Sequence, residues 1–158
     1  MKTLFLLLAC LTPVLCLAQD NVEVTWQNPD HYRDIRPANE SPRRFRERLF
    51  RNLVDHLRAL ARKLPQGQRL EITFTDIDLA GEVRMGARGD VRIVRDTQPA
   101  VLTFHWRLLD EGGRPIRQGE ERLRGDNATA RALSLSHSDP FPVEKALLRR
   151  WFSDRIVR

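Results

Sequence analysis

An amphipathic stretch from Ser41 to Leu64 constrains the fold of this chain more than any other segment. Ser41 followed by Pro42 is a typical helix start, because serine caps the first amides and proline suits the first helical position. Pro65 then ends the predicted helix. Apolar residues recur along it every three or four positions, which indicates one buried face. They are Phe45, Leu49, Leu53, Leu57, Leu60 and Leu64, widened by Phe50, Val54 and Ala61.

Arginines occupy the opposite face of this predicted helix, at about 100° of rotation per residue. They are Arg44, Arg48, Arg51, Arg58 and Arg62. Glu47 is expected to pair with Arg51, four residues on. Asp55 is expected to pair with Arg58, as on an ordinary solvated face. The alternative interpretation is a surface that binds phospholipid head groups, lipopolysaccharide phosphates or an acidic protein.

Predicted strands surround the helix. Val22 to Trp26 alternates apolar and polar residues before it, and Leu70 to Thr75 does so after it. A strand, a helix and a second strand are expected to form a right-handed crossover with parallel strands. The later elements are strands Val91–Arg95, Ala100–Leu109 and Ile116–Arg124, the last with a bulge at Gly119, and a helix from Pro142 to Ile156. The stretches between them, including Val83–Gly89 and Arg124–Ser138, are predicted loops.

These elements predict a single α+β domain over residues 19–158. It has one mixed, mostly antiparallel sheet of about five strands. The long amphipathic helix lies in the β-α-β crossover, and a second helix closes the chain.

The segment from Leu70 to Glu82 is the most unusual part of the chain. It begins as a strand and is expected to end as an acidic turn that contains Asp76, Asp78 and Glu82. Carboxylates where a buried strand ends need partners or a bound cation. We expect these acids to accept backbone amide hydrogen bonds and to pair with arginines. The alternative is a functional site that also includes Asp34.

A calcium loop is the one metal site that this segment suggests. Asp76, Asp78 and Gly81 match positions one, three and six of such a loop. Ala80 and Ala87 occupy positions five and twelve, where two ligands belong. We therefore predict no metal ligand, and no cofactor. No catalytic residue is predicted either, because the chain has no G-x-S-x-G, H-E-x-x-H, P-loop or G-x-G-x-x-G pattern.

The first eighteen residues are predicted to be a signal peptide. Lys2 precedes an apolar run, and the small residues Cys16 and Ala18 suit a cut before Gln19. A lipoprotein anchored at Cys10 is the less favoured alternative. Cleavage at Ala18 would leave a chain without cysteine. We expect this product to be periplasmic and not to span the membrane.

The charge of the chain favours anionic partners. The whole chain carries +6, and residues 1–18 contribute one lysine and no acid, so the mature chain carries +5. Nearly all of the basic residues are arginine. Such a surface attracts an anionic envelope component or another envelope protein. Nucleic acid is not expected as a partner, because the chain is predicted to be exported.

Several segments resemble one known family. They are Val22–Trp26 with Asn28-Pro29 and Asp34–Arg36, Asn39–Arg48, Thr75–Glu82, and Glu144-Lys145 with Leu147-Leu148 and Trp151-Phe152. Val91–Val94 and Gly119–Glu121 also fit. On these segments the chain resembles the family called domain of unknown function 3016, small exported proteins of proteobacteria. The resemblance implies export to the periplasm and a shared fold, and it implies no activity.

Two functions from different classes follow from these observations. The first is a non-enzymatic envelope binding or interaction module that uses its arginine face or its acidic turn. The second is a hydrolase or metal-binding enzyme centred on Asp34, Asp76, Asp78 and Glu82. The absence of a nucleophile–base pair and of a complete ligand set favours the first. Convergence of the acids around one cavity would favour the second.

Overall fold

The computed structural model describes residues 21–87, 89–95, 97–125 and 139–158. The predicted signal peptide, and most of the predicted loop between Arg124 and Ser138, lie outside these residues. The strands are β1 (Val22–Trp26), β2 (Arg69–Asp78), β3 (Glu82–Arg84), β4 (Val91–Ile93), β5 (Val101–Leu109) and β6 (Pro115–Arg124). The α-helices are α1 (Pro42–Ala61) and α2 (Pro142–Trp151).

The main sheet has four strands in the order β1-β2-β5-β6. β1 runs parallel to β2, while the β2–β5 and β5–β6 pairs are antiparallel. The predicted α+β class, the mixed sheet and the helix between two parallel strands are thereby confirmed.

A bulge near the end of β2 sets the direction of the acidic side chains. Thr75 is an extra residue between Phe74 and Asp76 in the pairing of β2 with β5. The alternation of side chains shifts by one residue there, so Ile77 enters the core. The prediction that Asp76 and Asp78 lie in a turn is therefore wrong, because both belong to β2.

The segment after β2 forms a separate sheet of two short strands, β3 and β4. Both edges of β2 are taken by β1 and β5, so these strands pair with each other. The chain leaves β2 through Gly81, whose φ is +76°; an added Cβ would lie 2.2 Å from the carbonyl oxygen of Ile93. The predicted sheet of about five strands is thus a four-stranded sheet, with Val91–Ile93 outside it. The predicted loop Val83–Gly89 begins within β3.

The predicted bulge at Gly119 is wrong. Gly119 pairs in register with Trp106, and the irregularity in the β5–β6 ladder lies instead at Leu108/Leu109. Gly119 lies against the indole of Trp106, since an added Cβ would be 3.1 Å from the Nε1 atom. The glycine therefore makes room for a ring.

Helix α1 follows the predicted pattern. The Oγ of Ser41 accepts a hydrogen bond from the amide of Arg44 at 3.3 Å, and Pro42 is the first helical residue. The helix ends at Ala61, three residues before the predicted end, and turns continue the chain to Leu64. The predicted apolar face is buried at Phe45, Leu49, Leu53, Leu57, Leu60, Ala61 and Leu64.

The closing helix is divided in two. α2 ends at Trp151, and a π-helical segment, Phe152–Val157, continues it. The guanidinium of Arg117 on β6 donates to the carbonyl oxygens of Arg155 and Ile156, at 2.8 and 2.5 Å. These are carbonyls that a helix end leaves without intrahelical partners.

Both helices cover the same face of the main sheet. Trp26 of β1 stacks on Phe50 of α1 at 3.9 Å between ring centroids. Phe104 of β5 meets Trp151 of α2 edge to face at 4.8 Å. The opposite face, here called the open face, is polar, and no described helix lies on it. No helix among the described residues is long and apolar enough to span a bilayer.

Candidate binding cleft on the open face

The chain after β1 returns to the end of β2 and brings two acids together. The amide of Asp34 donates to the carbonyl of Ile77 at 3.2 Å, and the amide of Leu79 donates to the carbonyl of Asp34 at 3.0 Å. Asp34 thereby forms a parallel bridge with Asp78, far away in sequence. Two of the predicted site residues are neighbours for this reason.

The carboxylate of Asp34 is buried, at 8% exposure, and held by two arginines. Arg92 approaches both carboxylate oxygens, at 3.1 and 3.3 Å, in the forked geometry that guanidinium groups favour. The amide and the Nε of Arg36 also donate to it, at 3.1 and 3.3 Å. Burial alone would raise the pKa of Asp34, but these donors hold that pKa below its usual value.

Arg92 connects Asp34 to the turn after β2. Its guanidinium donates to the carbonyl oxygens of Arg36 at 2.8 Å and Gly81 at 3.1 Å. The amide of Ala80 in the same turn donates to the carboxylate of Glu144 on α2 at 2.9 Å. Asp34, Arg92 and Glu144, here called the buried network, fix the turn to the sheet and to α2.

Sequence reasoning missed two members of this network. Glu144 is only 2% exposed, and burial raises the pKa of its carboxyl group. A signal was present, because Glu144 shares a helix face with Leu147, Leu148 and Trp151, where an acid is out of place. Arg92 had no such signal, since a polar residue is ordinary in a short strand.

Asp76 and Asp78 share Arg33 as a partner. The amide of Arg33 donates to Asp76 at 2.9 Å, so Asp76 accepts a backbone amide, but from the segment after β1 and not from the predicted turn. The guanidinium of Arg33 lies 3.7 Å from each carboxylate, and its side chain is 59% exposed. Burial raises the pKa of Asp78, and the charges of Asp34 and Asp76 add to this effect against Arg33.

Glu82 is held at the edge of the same region. Gln98 donates to it from Nε2 at 2.9 Å, and the Nε of Arg84 donates to its other oxygen. These two hydrogen bonds lower the pKa of Glu82. Within the described ranges, no group of three or more histidine, cysteine, aspartate or glutamate side chains is arranged to hold a metal ion.

A polar cavity of about 430 Å³, here called the open-face cleft, brings three of the predicted acids together. Asp34, Asp78 and Glu82 line it, whereas Asp76 is not among its lining residues. Four arginines also line it: Arg33 and Arg36 on one wall, and Arg122 and Arg124 of β6 on the other. The remaining lining residues are Leu79, Gly81, Thr97, Gln98, Pro99 and Val101. Sequence reasoning did not single out the arginines of β6, because only the strand order places them opposite β2.

The arginines of α1 are not brought into this cleft, because α1 covers the other face of the sheet. Arg44, Arg51, Arg58 and Arg62 are exposed, and Arg58 pairs with Asp55 at 3.5 Å, as predicted. Arg48 instead lies over the ring of Phe45, at 5.2 Å from its centroid.

The pairing of Glu47 differs from the prediction. Its carboxylate lies 3.6 Å from Arg43, one turn earlier, and not near Arg51. Arg51 makes no ion pair with any residue that the structure describes. The arginine face is therefore a partly paired, solvated surface.

The fold and the site define a two-layer α+β domain with a charged cleft on its uncovered face. The chain belongs to the family described as protein of unknown function (DUF3016), whose model matches residues 20–154. The resemblance inferred from short segments is thereby confirmed over nearly the whole domain. The search of curated proteins found no match, and neither did the search of solved structures.

Proposed function

We propose that this protein is an exported, periplasmic binding module that holds an anionic group in the open-face cleft and catalyses no reaction. The observation that carries this proposal is that some arginines of the cleft have an ion-pair partner and others do not. Arg92 and Arg36 are occupied by Asp34. Arg122 and Arg124 line the cleft without an ion pair to any described residue. Their charge is available to an incoming anion.

The net charge supports the same proposal. A mature chain of +5 attracts anions from a distance, and a cleft with polar walls concentrates that field. The cleft volume of about 430 Å³ lies in the range of small-molecule sites. Guanidinium groups bind carboxylate and phosphate through two parallel hydrogen bonds. A ligand that ends in either group therefore suits the β6 wall.

Titration with inorganic phosphate, followed by amide NMR of the purified protein, tests this proposal. We expect saturable shifts in β6 and in the segment Leu79–Gly81. The double variant Arg122→Gln, Arg124→Gln should lose them. Arg51→Gln removes one exposed arginine from α1 and should leave them unchanged. Shifts centred on α1, or no saturable shift at all, would contradict the proposal.

Export is tested by mass spectrometry of the protein recovered from the periplasm. We expect Gln19 as its first residue, because Cys16 and Ala18 present small side chains to the signal peptidase. A diacylglyceryl group on Cys10 would instead establish a lipoprotein.

The hydrolase alternative has two observations in its favour. Asp34, Asp78 and Glu82 converge on one cavity. Asp34 and Asp78 are adjacent and have pKa values shifted in opposite directions, as acid and base pairs do. However, guanidinium groups contact both oxygens of Asp34, and the side chain is almost inaccessible. A base or nucleophile needs a free oxygen that faces the substrate. Binding is therefore the function that we prefer.

A further inference from the structure

We infer that the open-face cleft recognises a zwitterionic group, with its phosphate or carboxylate on Arg122 and Arg124 and its ammonium on Asp78. This inference rests on the proposed function and names the chemistry of the ligand. It does not require a reaction. The argument depends on the two walls of the cleft and on the distance between them.

The strand register places opposite charges on the two walls. Asp78 pairs with Val101, and Val101 pairs with Arg124, so these three residues share one row across the sheet. Cross-strand partners point to the same face, which for this row is the open face. The Cα atoms of Asp78 and Arg124 are two strand spacings apart, about 10 Å. Val101, with its short side chain, forms the floor between them.

The next row repeats this arrangement. Asp76 pairs with Thr103, and Thr103 pairs with Arg122. The acids therefore follow β2 and the arginines follow β6, with short side chains on β5 between them. A small molecule that lies across β5 has Asp76 and Asp78, which share Arg33, on one side. It has Arg122 and Arg124 on the other side, here called the basic wall.

Each wall carries charge that the described residues neutralise only in part. Arg122 and Arg124 have no ion-pair partner in the described part of the chain. Asp78 has Arg33 at 3.7 Å, but that guanidinium is largely in solvent and is shared with Asp76. Burial raises the pKa of Asp78, and the nearby carboxylates of Asp34 and Asp76 add to this effect.

The acidic wall, on the side of Asp78, also holds Glu82 and Gln98. The Nε2 of Gln98 donates to Glu82, so both residues are fixed beside the cleft. An ammonium donates three hydrogen bonds, and the carboxylate of Asp78 can accept from it.

A zwitterion satisfies both walls, whereas either charge alone does not. A phosphate without an ammonium binds Arg122 and Arg124 but leaves Asp78 with the exposed, shared Arg33 as its partner. An ammonium without an anion meets Asp78 but also the guanidinium groups opposite. When both charges are on one molecule, each wall stabilises the group that the other wall repels.

The experiment compares three probes by isothermal titration calorimetry at one pH and ionic strength. O-phosphoethanolamine carries both charges, inorganic phosphate lacks the ammonium, and ethanolamine lacks the anion. We expect O-phosphoethanolamine to bind about tenfold more tightly than phosphate, as one added charge-assisted contact predicts. Ethanolamine should not bind measurably. Equal affinity for phosphate and O-phosphoethanolamine would overturn the inference.

Matched variants assign each charge to its wall. Asp78→Asn keeps the size of the side chain and should abolish the preference for O-phosphoethanolamine while phosphate still binds. The double variant Arg122→Gln, Arg124→Gln should lose both probes, and Arg51→Gln should behave as the wild type. A preference that survives in Asp78→Asn contradicts the inference. Far-ultraviolet circular dichroism of each variant shows that it is folded.

The outcomes separate this inference from the proposed function. If the wild-type protein binds neither phosphate nor O-phosphoethanolamine, both the proposed function and this inference are contradicted. Equal binding of both probes would support an anion site and contradict the recognition of a zwitterion.

Vesicles that contain phosphatidylethanolamine test whether the bound group comes from a lipid. Sedimentation with them, blocked by soluble O-phosphoethanolamine, indicates a lipid head group; tight binding of the soluble probe without sedimentation indicates a free small molecule.

Discussion

Asp34 and Asp78 are neighbours across one bridge, yet their surroundings are opposite. Arg92 and Arg36 hold Asp34 and lower its pKa in spite of burial. Asp78 forms an ion pair with Arg33, whose side chain is largely in solvent, and burial raises its pKa. The comparison shows that the cleft has a closed side, formed by Asp34 with Arg92 and Arg36, and an open side, formed by Asp78 with Arg122 and Arg124. The closed side stabilises the turn after β2, and the open side keeps charge for a ligand.

The largest expected effect separates the arginine of the closed side from those of the open side. Arg92→Ala leaves the buried carboxylate of Asp34 without its main partner, which should cost about 3–5 kcal/mol of unfolding free energy. Arg122→Ala, on the exposed wall, should change that free energy by less than about 0.5 kcal/mol. Urea unfolding of both variants is the measurement. Similar losses would mean that the two sides do not differ.

The same contrast between buried and exposed residues can be tested within α1. Leu53 is fully buried, so Leu53→Ala should cost about 2–5 kcal/mol through the lost contacts and the cavity. Arg51 is exposed, and Arg51→Ala should cost about 0–1 kcal/mol. Chemical denaturation measures both values. A loss in Arg51→Ala as large as in Leu53→Ala would show that the buried face of α1 is misplaced.

Asp76 is partly exposed and should have an intermediate effect. It accepts the amide of Arg33, so Asp76→Ala should cost about 1.5 kcal/mol, the lower end for a charged acceptor because the site is partly exposed. The shift in melting temperature should be the same with calcium and with a chelator. A rise in the wild-type melting temperature with calcium, lost in Asp76→Ala, would reveal a metal site instead.

The smallest expected effect is the change of stability with pH, which should differ in sign between Asp34→Asn and Asp78→Asn. The folded-state pKa of Asp34 is below 3.8, so its ionised form stabilises the protein above that pH, and the benefit is lost as pH falls through the lowered pKa. Asp34→Asn should therefore destabilise most near neutral pH. The folded-state pKa of Asp78 is above 3.8, so its contribution is present below that pH and is lost as pH rises through the raised pKa.

Asp78→Asn should consequently be neutral or stabilising at neutral pH and lose that advantage in acid. Unfolding free energies of both variants and the wild type, from about pH 3 to about pH 7, give the two profiles. Profiles that slope in the same direction would contradict the comparison between the two acids.

Much of the fold follows from local patterns. The cap at Ser41, the apolar repeat of α1 and the alternation in β2 and β5 are all readable in the chain. The phase shift at Thr75 was readable too, because the apolar residues Phe74 and Ile77 are separated by two positions. It was interpreted as the end of the strand, although a bulge gives the same spacing.

The candidate site was only half predictable. Asp34, Asp78 and Glu82 were found as unusual acids, and the structure places all three on one cleft. Arg92 and Arg124 were not found, since an arginine in a strand of an arginine-rich chain carries no signal. Their opposite roles depend on which strand lies beside which.

The sequence by itself determined the secondary structure and the buried face of each main element, because side-chain periodicity acts between residues a few positions apart. The tertiary structure alone decided that Asp34 meets Arg92, that Glu144 caps the amide of Ala80, and that Arg124 faces Asp78 across Val101. These contacts join residues of different strands and helices. They follow from strand order and from the packing of α2, which no local pattern encodes.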